Sequence, residues 1–258
     1  MSQKQDKNQA PPTHRETYHE PAIQTSWEEF SKVVRSRRSV RIYTEMQISE
    51  TDVQDCLDMA LLAPNSSNLQ PWEFIWIRSP ELKNQLGPMC FDQKAVTTAP
   101  VIIACVAKTN TWKQNCQQML NYFEGRNPPK SVMLYYRKLA PFIYNQGWCG
   151  LRGLFKKIGF AIVGISRPVP RGPNSFADMK LWATKSTALA CENLMLAFRA
   201  KGYDSCPLEG FDENRVKKLL KLDCHSSIVM LISAGQRAEN GIYSEQIRFD
   251  RSQFIRVL

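Results

Sequence analysis

The sequence predicts a domain that combines α-helices with buried β-strands, and three observations support this. Two capping boxes each start an amphipathic segment, three short apolar runs are typical of buried strands, and a long segment before residue 200 repeats apolar residues at helical spacing. The chain has 258 residues, of which 43% are apolar. A chain of this size can bury a sizeable core without disulfide bonds or metal ions.

Two capping boxes predict where the first helices begin. The pairs are Ser26 with Glu29, and Ser49 with Asp52. The first helix is expected to run to about residue 36, and the second to end before Pro64, because proline disrupts a helix interior.

Two later helices follow from periodicity and capping. Residues 180–200 have an apolar stripe at helical spacing, and Gly202 is the expected C-cap. Asp212 is the expected N-cap of a short helix through Lys221.

Three apolar runs predict strands: WEFIWI at 72–77, PVIIACVA at 100–107 and SIVMLISA at 227–234. Their β-branched and aromatic residues favour strands, and the last two are apolar enough to be buried on both faces. Residues 240–258 form a C-terminal extension that alternates apolar and charged residues, which predicts an exposed strand seeking a partner edge.

Residues 26–258 are expected to form the domain, and residues 110–178 an insert within it. Inserts of that length are usually lids or disordered, and nine Phe, Tyr or Trp residues between positions 122 and 160 argue against disorder. Residues 1–25 are polar and contain prolines, so a flexible N-terminal arm is expected.

The net charge is +10 and the pI is about 9.3, which predicts affinity for nucleic acid, an anionic membrane surface or a phosphate-bearing cofactor. The eight cysteines are scattered without a C-x-x-C pair, so we expect neither a zinc site nor a disulfide framework, but a reduced, cytoplasmic protein. Apolar runs such as the one at 160–165 are too short for a transmembrane helix.

The stretch RRSVRIY at 37–43 concentrates positive charge. Arg37, Arg38, Ser39 and Arg41 offer guanidinium and hydroxyl donors that suit a phosphomonoester. Three charge-assisted hydrogen bonds contribute about 5–9 kcal/mol before ordering costs, and micromolar binding requires about 8 kcal/mol. The cluster therefore needs help to hold a cofactor. The alternative is a solvated run of charges.

The stretch APNSSNLQPWEF at 63–74 concentrates polar side chains in a loop between a helix and a strand. Asn65, Ser66 and Asn68 offer donors and acceptors of the kind that contact ligands. The alternative is a polar turn whose Asn and Ser residues bond only to the backbone.

RRSVRIY, APNSSNLQPWEF, SCPLEGFD at 205–212 and the terminal GQR at 235–237 together resemble the nitroreductase superfamily of FMN-dependent enzymes. The resemblance covers roughly residues 27–110 and 178–250. It implies an α+β fold with a central, mostly antiparallel sheet flanked by helices. It also implies an intertwined homodimer with two FMN sites at the subunit interface.

The resemblance assigns roles to residues of four segments. The arginines of the first segment would hold the FMN phosphate and ribityl chain, and the polar loop would line the flavin from the partner subunit. The backbone of the third would face flavin N5, where the chemistry takes place without a catalytic side chain or metal. The cofactor-binding residues implied are Arg37, Arg38, Ser39, Arg41, Asn65, Ser66, Asn68, Pro207, Leu208, Glu209, Gly210 and Arg237.

The implied function is an FMN-dependent oxidoreductase that uses NADH or NADPH in a ping-pong mechanism. Its acceptors would be nitroaromatic, quinone-like or similar small electron-poor molecules, rather than nucleic acid. Aromatic residues of the insert are candidates to stack on planar ligands, although most are expected to pack the insert onto the domain. The candidates are Phe123, Tyr135, Tyr136, Phe142, Tyr144 and Trp148.

Two alternatives remain open at this point. A reductive dehalogenase of the iodotyrosine type would need Glu124, Tyr135 or Tyr136, and Lys138 to bind an amino-acid zwitterion. A non-catalytic protein would use the basic and apolar segment 151–171 to lie on an anionic membrane surface or to contact nucleic acid.

Overall fold

The computed structural model describes residues 20–258, so most of the expected N-terminal arm lies outside the described residues. The helices are α1 (Trp27–Ser36), α2 (Glu50–Leu61), α3 (Pro80–Met89), α4 (Lys94–Thr97), α5 (Trp112–Phe123), α6 (Lys130–Leu134), α7 (Ala140–Tyr144), α8 (Leu151–Val163), α9 (Phe176–Ala200) and α10 (Glu213–Leu219). The strands are β1 (Trp72–Trp76), β2 (Val101–Lys108), β3 (Asp204–Leu208) and β4 (Ser226–Gly235).

The four strands form one sheet in the order β1-β2-β4-β3, and every neighbouring pair is antiparallel. Helices cover both faces of this sheet, so the expected α+β architecture with a central antiparallel sheet is confirmed. The two central strands, β2 and β4, are the two most apolar runs of the sequence.

Strand β2 shows how the sheet separates two cores. Successive side chains of a strand point to opposite faces. Ile102, Ala104 and Val106 pack with residues of α3, α4 and α10. Ile103 and Cys105 pack on the other face with residues of α2 and α9. An unbroken apolar run is therefore needed, because neither face of β2 meets water.

The predicted helix starts are confirmed by their caps. The Ser26 hydroxyl accepts a hydrogen bond from the Glu29 amide at 3.2 Å, and the Ser49 hydroxyl accepts one from Asp52 at 3.1 Å. Helix α9 begins four residues before the predicted start, and it ends at Ala200 as expected. Gly202 lies one residue beyond the C-cap with φ of 92°, a conformation that glycine adopts without strain.

Two parts of the chain add to or contradict the prediction. The insert, to which the sequence assigns no elements, contains the helices α5 to α8. Among the described residues, the tail from 241 contains one 3-10 turn, Arg251–Gln253, and no strand, so the expected exposed strand is wrong. The described tail does not pair with either edge strand of the sheet, so its backbone lacks the inter-strand hydrogen bonds that would make it a strand.

The structure also contains a strand that periodicity missed. Strand β3 includes Asp204 and Pro207, two residue types that are depleted in strands. It is an edge strand, where proline is tolerated. Within residues 20–258, no helix is long and apolar enough to cross a membrane.

Candidate functional site

The segment at residues 37–43 is fixed to the sheet through its backbone. The Val40 amide donates to the Ser205 carbonyl at 3.1 Å, and the Arg41 amide donates to the Gly241 carbonyl at 2.8 Å. The close approach requires glycine at 241, because a Cβ atom there would lie 2.6 Å from a backbone oxygen of the segment. The arginines therefore project from a backbone that the edge strand β3 holds in place.

Arg37, Arg38, Ser39 and Arg41, which we call the arginine cradle, line one cavity of about 370 Å³. Residues 242–248 of the tail, with the carboxylate of Glu245 among them, form the rest of its lining. The structure thus brings together all four residues predicted from the first segment.

Three arginines in the cradle differ in their contacts. Arg38 donates to the carbonyl of Ser244, and the guanidinium of Arg41 lies 5.6 Å from the ring centre of Tyr243. The Nη1 atom of Arg37 is buried, and no hydrogen-bond partner for it lies within residues 20–258. The hydroxyl of Ser205 is also buried without a partner among the described residues, and the backbone of Ser205 forms a β-bridge with Ser39. Buried donors without partners are rare, so these atoms mark a place where a ligand with several acceptor oxygens fits.

Arg237 lies next to the segment at residues 37–43, but its guanidinium does not bond to the residues of the cradle. Its backbone bridges to Tyr43, while its guanidinium donates to both carboxylate oxygens of Asp204, at 3.0 and 2.7 Å. Arg199 donates to the same carboxylate at 2.9 Å. The Asp204 side chain is only 6% exposed, so it depends on these two arginines for its hydrogen bonds. In this chain Arg237 therefore contacts a buried acid.

The segment Pro207–Gly210 continues from strand β3 beyond the cradle. Pro207 and Leu208 end the strand, whereas Glu209 and Gly210 are exposed. The carbonyl of Gly210 accepts a hydrogen bond from the side chain of Gln93 at 2.7 Å. Because a strand rises about 3.3 Å per residue, Leu208 at the end of β3 lies roughly 10 Å from Ser205, to which the cradle is bridged.

Cys206 lies in the same strand, and its environment is that of a packing residue. The thiol is 1% exposed. Burial raises the pKa of Cys206, although the charges of Arg41 and Arg37 oppose that shift. The thiol therefore stays protonated and is no nucleophile near neutral pH.

The polar loop at 65–70 lines a different cavity, of about 600 Å³. Asn65 and Ser66 form part of its wall together with Tyr135 and Tyr144 of the insert and Trp182 of α9. We call this the tyrosine cavity. No residue lines both this cavity and the arginine cradle.

Tyrosine hydroxyls of the insert hold the loop in place. The hydroxyl of Tyr144 lies 3.1 Å from the Ser66 hydroxyl and 2.9 Å from that of Ser67, which also bonds to Tyr135. Tyr136 donates to the Ser67 carbonyl at 3.0 Å. Ser67 adopts φ of 63°, an unusual value for a residue with a side chain, and these bonds offset the strain.

Ser67 is thus the residue of this loop that the prediction missed. The three tyrosines that bond to Ser67 lie about 70 residues further along the chain, so no local pattern predicts that Ser67 joins this network. The side-chain amide of Asn68, for which the resemblance implies a flavin contact, lies 3.6 Å from the sulfur of Met119. Asn65 uses its side-chain oxygen to accept from the Gln70 amide at 2.8 Å.

Two further groups in the tyrosine cavity are suited to ligand binding. The indole nitrogen of Trp182 is buried and has no hydrogen-bond partner among the described residues. Lys185 and Arg171 line the same cavity and make it electropositive, with Asp178 as a carboxylate in its wall. Burial raises the pKa of Tyr144, so its hydroxyl remains a donor at neutral pH.

The other aromatic residues of the insert do not line this cavity. Tyr136 and Phe123 pack in the core beneath it, and Trp148 is 83% exposed. Glu124 lines a separate cavity from Tyr135, so the residues that an iodotyrosine-type site would need are not gathered together.

Comparison with known proteins identifies the class to which this fold and site belong. The profile of the Nitroreductase family matches residues 34–236, which is most of the chain. The match includes the arginine cradle, the polar loop and β4. The chain therefore belongs to the nitroreductase family.

Individual relatives support this assignment. A Bacillus subtilis protein named as a proposed NAD(P)H nitroreductase, YdgI, is 29% identical over 225 residues, which are 86% of this chain and 95% of that protein. A Thermus thermophilus protein named NADH dehydrogenase is 27% identical, covering 83% of this chain and 90% of that one. A solved structure of a proposed nitroreductase from Exiguobacterium sibiricum in complex with FMN is 27% identical, with a TM-score of 0.67, over 92% of this chain and all of that one.

Proposed function

We propose that the protein is an FMN-dependent oxidoreductase that uses NADH or NADPH to reduce small, planar, electron-poor acceptors, such as quinones or nitroaromatics, in ping-pong order. The observation that carries this proposal is the buried, unpartnered guanidinium nitrogen of Arg37 within a cradle of three arginines. The names of relatives as NAD(P)H nitroreductase and NADH dehydrogenase, and the FMN in the related structure, support it.

The residues of the arginine cradle fit the phosphate of FMN. Guanidinium groups bind phosphate oxygens in pairs, and a serine hydroxyl adds a short donor. Arg37 and Ser205 provide donors that no other described residue satisfies. When bound, FMN supplies the two-electron chemistry that amino-acid side chains lack. The chain itself contributes the binding, the orientation and the positive charge.

A cofactor held by the cradle extends toward the segment Pro207–Gly210, because both lie along the same edge strand. The exposed backbone of Glu209 and Gly210 suits a contact with the edge of a flat ring, and glycine lets the ring approach closely. We propose that these amides orient the reactive edge of the flavin. Arg237 contributes indirectly, because its bonds to Asp204 position the start of β3.

We propose that the enzyme is a homodimer in which the tyrosine cavity of one subunit faces the flavin held by the other. The cradle and the cavity have no residue in common, although the resemblance assigns both to one flavin site. Large apolar side chains are exposed on α1 and in the tail, among them Trp27, Phe30 and Phe249. A partner subunit would bury them, as symmetric homodimers do.

The insert at 110–178 is proposed to be the substrate lid. Tyr135 and Tyr144 come from it, and both line the tyrosine cavity. Planar acceptors suit such walls because aromatic rings stack on one another. We also propose a cytoplasmic location, since the cysteines lack the close spacings of a disulfide framework.

The test is reconstitution of the purified protein with FMN, followed by anaerobic stopped-flow mixing with NADH or NADPH. We expect the bound flavin to lose its absorbance near 450 nm and to recover it when a quinone or a nitroaromatic is added. The order of mixing tests the ping-pong step, because the reduced protein should react with acceptor after the nicotinamide is removed. The proposal is overturned if the protein binds no FMN. If the protein binds FMN but neither NADH nor NADPH reduces the bound flavin, the oxidoreductase part of the proposal is wrong.

A further inference from the structure

Helix α8 presents its apolar side to solvent. Leu151, Leu154, Phe155, Ile158 and Ile162 follow one another at helical spacing, and each is at least 50% exposed. At 100° per residue they cover a stripe of roughly 100°, the width of the face that an ordinary surface helix buries. The usual arrangement is therefore reversed in this helix.

The opposite side of α8 explains why the helix is held in this orientation. A Cβ atom at Gly153 would lie 2.1 Å from the carbonyl of Asn174, so the helix packs against the chain through its backbone. Lys156 is 5% exposed, and its ammonium donates to the carbonyls of Ile143 and Pro173, at 2.5 and 3.1 Å. Polar contacts anchor the helix, and its apolar stripe is left uncovered by the described residues.

The charged side chains in the sequence that surrounds the stripe are all positive. Residues 125–177 contain nine Lys or Arg residues and no Asp or Glu. Arg152 and Lys157 are exposed and lie on either flank of the stripe. An apolar face with basic flanks is complementary to an anionic bilayer surface, where apolar side chains enter the acyl region and cations meet phosphates. Symmetric pairing of two such faces would instead oppose like charges.

Beside the stripe lies an apolar cavity of about 410 Å³. Phe155, Phe160 and Val163 of the helix line it with Phe142, and Arg152 is at its wall. Such a cavity suits a hydrocarbon chain whose phosphate is close to Arg152. The helix has 13 residues and is about 20 Å long, which is shorter than the hydrocarbon core of a bilayer and is suited to lying along it.

We propose that α8 docks this protein onto an anionic phospholipid bilayer, with its apolar stripe in the interface and Arg152 and Lys157 at the headgroups. This inference goes beyond the proposed oxidoreductase function and does not depend on it. It accounts for the apolar stripe of α8, none of whose residues lines the arginine cradle or the tyrosine cavity.

The experiment is co-sedimentation of the full chain with vesicles of phosphatidylcholine alone or mixed with phosphatidylglycerol. We expect binding to the mixed vesicles to be stronger by about tenfold or more and to weaken as salt is added. Phe155→Ser combined with Ile162→Ser should lower that binding by at least about tenfold, because two exposed side chains can no longer be buried in the membrane. Lys157→Glu should lower binding to the mixed vesicles only.

Phe91→Ser is the matched control, because Phe91 is 72% exposed and Phe155 71%. The control should bind like the wild type. Circular dichroism of each variant will show whether the fold is retained, which is expected because the altered side chains face solvent. The proposal is overturned if the wild type binds no vesicles, if all variants bind alike, or if the double variant only splits an oligomer, which would make the stripe a contact between copies of this chain.

Discussion

The arginine cradle and the tyrosine cavity are built in different ways, although the resemblance assigns both to one flavin site. Backbone hydrogen bonds fix the cradle to strand β3 and to Gly241, and the guanidinium of Arg37 is left with an unpartnered nitrogen. In the cavity, the hydroxyls of Tyr135 and Tyr144 from the insert hold the loop by bonding to the hydroxyls of its serines.

This difference suggests separate roles, in which the cradle supplies positive charge and the cavity supplies the shape of the binding space. The cradle is a fixed place for a phosphate, since its backbone cannot move without breaking the sheet edge. The cavity takes its walls from side chains of the polar loop, the insert and α9, so substitutions there change its shape while the backbone bonds of the cradle to β3 remain. We therefore expect cofactor binding to depend on the cradle and acceptor choice to depend on the cavity.

The largest expected effect is on the support of the cradle. Asp204→Ala removes the carboxylate that both Arg199 and Arg237 bind, and should lower the free energy of unfolding by about 2–4 kcal/mol. Urea denaturation of the flavin-free protein measures this loss. Asp58→Ala, at an exposed acid of α2, is the control and should have little effect. Equal stability of both variants would show that the buried ion pairs do not hold this edge.

The next effect concerns the cradle itself. Arg37→Ala should weaken FMN binding by about 10- to 100-fold, since it deletes a charge-assisted donor, with little change in the stability of the flavin-free protein. Flavin fluorescence quenching measures the dissociation constant. Arg35→Ala is the control, because Arg35 lies in α1, bonds to Ser31 and does not line the cavity of the arginine cradle.

Arg237→Ala tests whether Arg237 supports the fold through Asp204 or binds the phosphate directly. If Arg237 acts through Asp204, this variant should lose stability by about 1–2 kcal/mol. An unchanged unfolding free energy with a large loss of FMN affinity would instead make it a direct phosphate ligand.

A smaller effect is expected in the tyrosine cavity. Tyr144→Phe removes the hydroxyl shared with Ser66 and Ser67 and should cost about 1–2 kcal/mol of stability. In a double-mutant cycle with Ser67→Ala, the two losses should not add, because they break one network. Tyr122→Phe is the control, since its exposed ring lies under Arg126 and outside the network. FMN affinity should not change in Tyr122→Phe.

The contrast also explains which features the sequence could predict. The cradle was identified because its four residues lie within five positions, and local spacing determines their common location. Strands β2 and β4 were found because burial on both faces demands continuous apolar runs. Ser67 and Trp182 were not found, because their roles depend on partners far along the chain.

Arg237 shows a further limit of sequence reasoning. Its backbone lies near the cradle because it bridges to Tyr43. Its pairing with Asp204 depends on β3, which the sequence pattern does not predict because this edge strand contains proline and aspartate. The insert was uncertain for a similar reason. Its helices are short and interrupted by prolines, so their stability comes from packing against α9 and the loop rather than from propensity.

The smallest expected effect is a pH dependence that belongs to the cavity and not to the cradle. Lys156 supports the cavity wall through the carbonyls of Ile143 and Pro173, and burial lowers its pKa to about 8, with Arg152 adding to that shift. The unfolded chain, with the usual lysine pKa of 10.5, then binds more protons above pH 8 than the folded chain. The penalty for a buried charge is fully present below pH 8 and is relieved as pH rises.

Relative to Lys156→Met, the wild type should therefore gain at most about 1 kcal/mol of unfolding free energy between about pH 7 and about pH 9, on either side of the Lys156 pKa. Urea denaturation of both proteins at each pH measures the difference, in which other titrating groups cancel. FMN affinity should show no such difference between the two proteins, because arginine stays charged throughout this range. A parallel change in FMN affinity would mean that the cavity and the cradle are coupled within one chain. The conclusion that cofactor binding depends on the cradle alone would then be wrong.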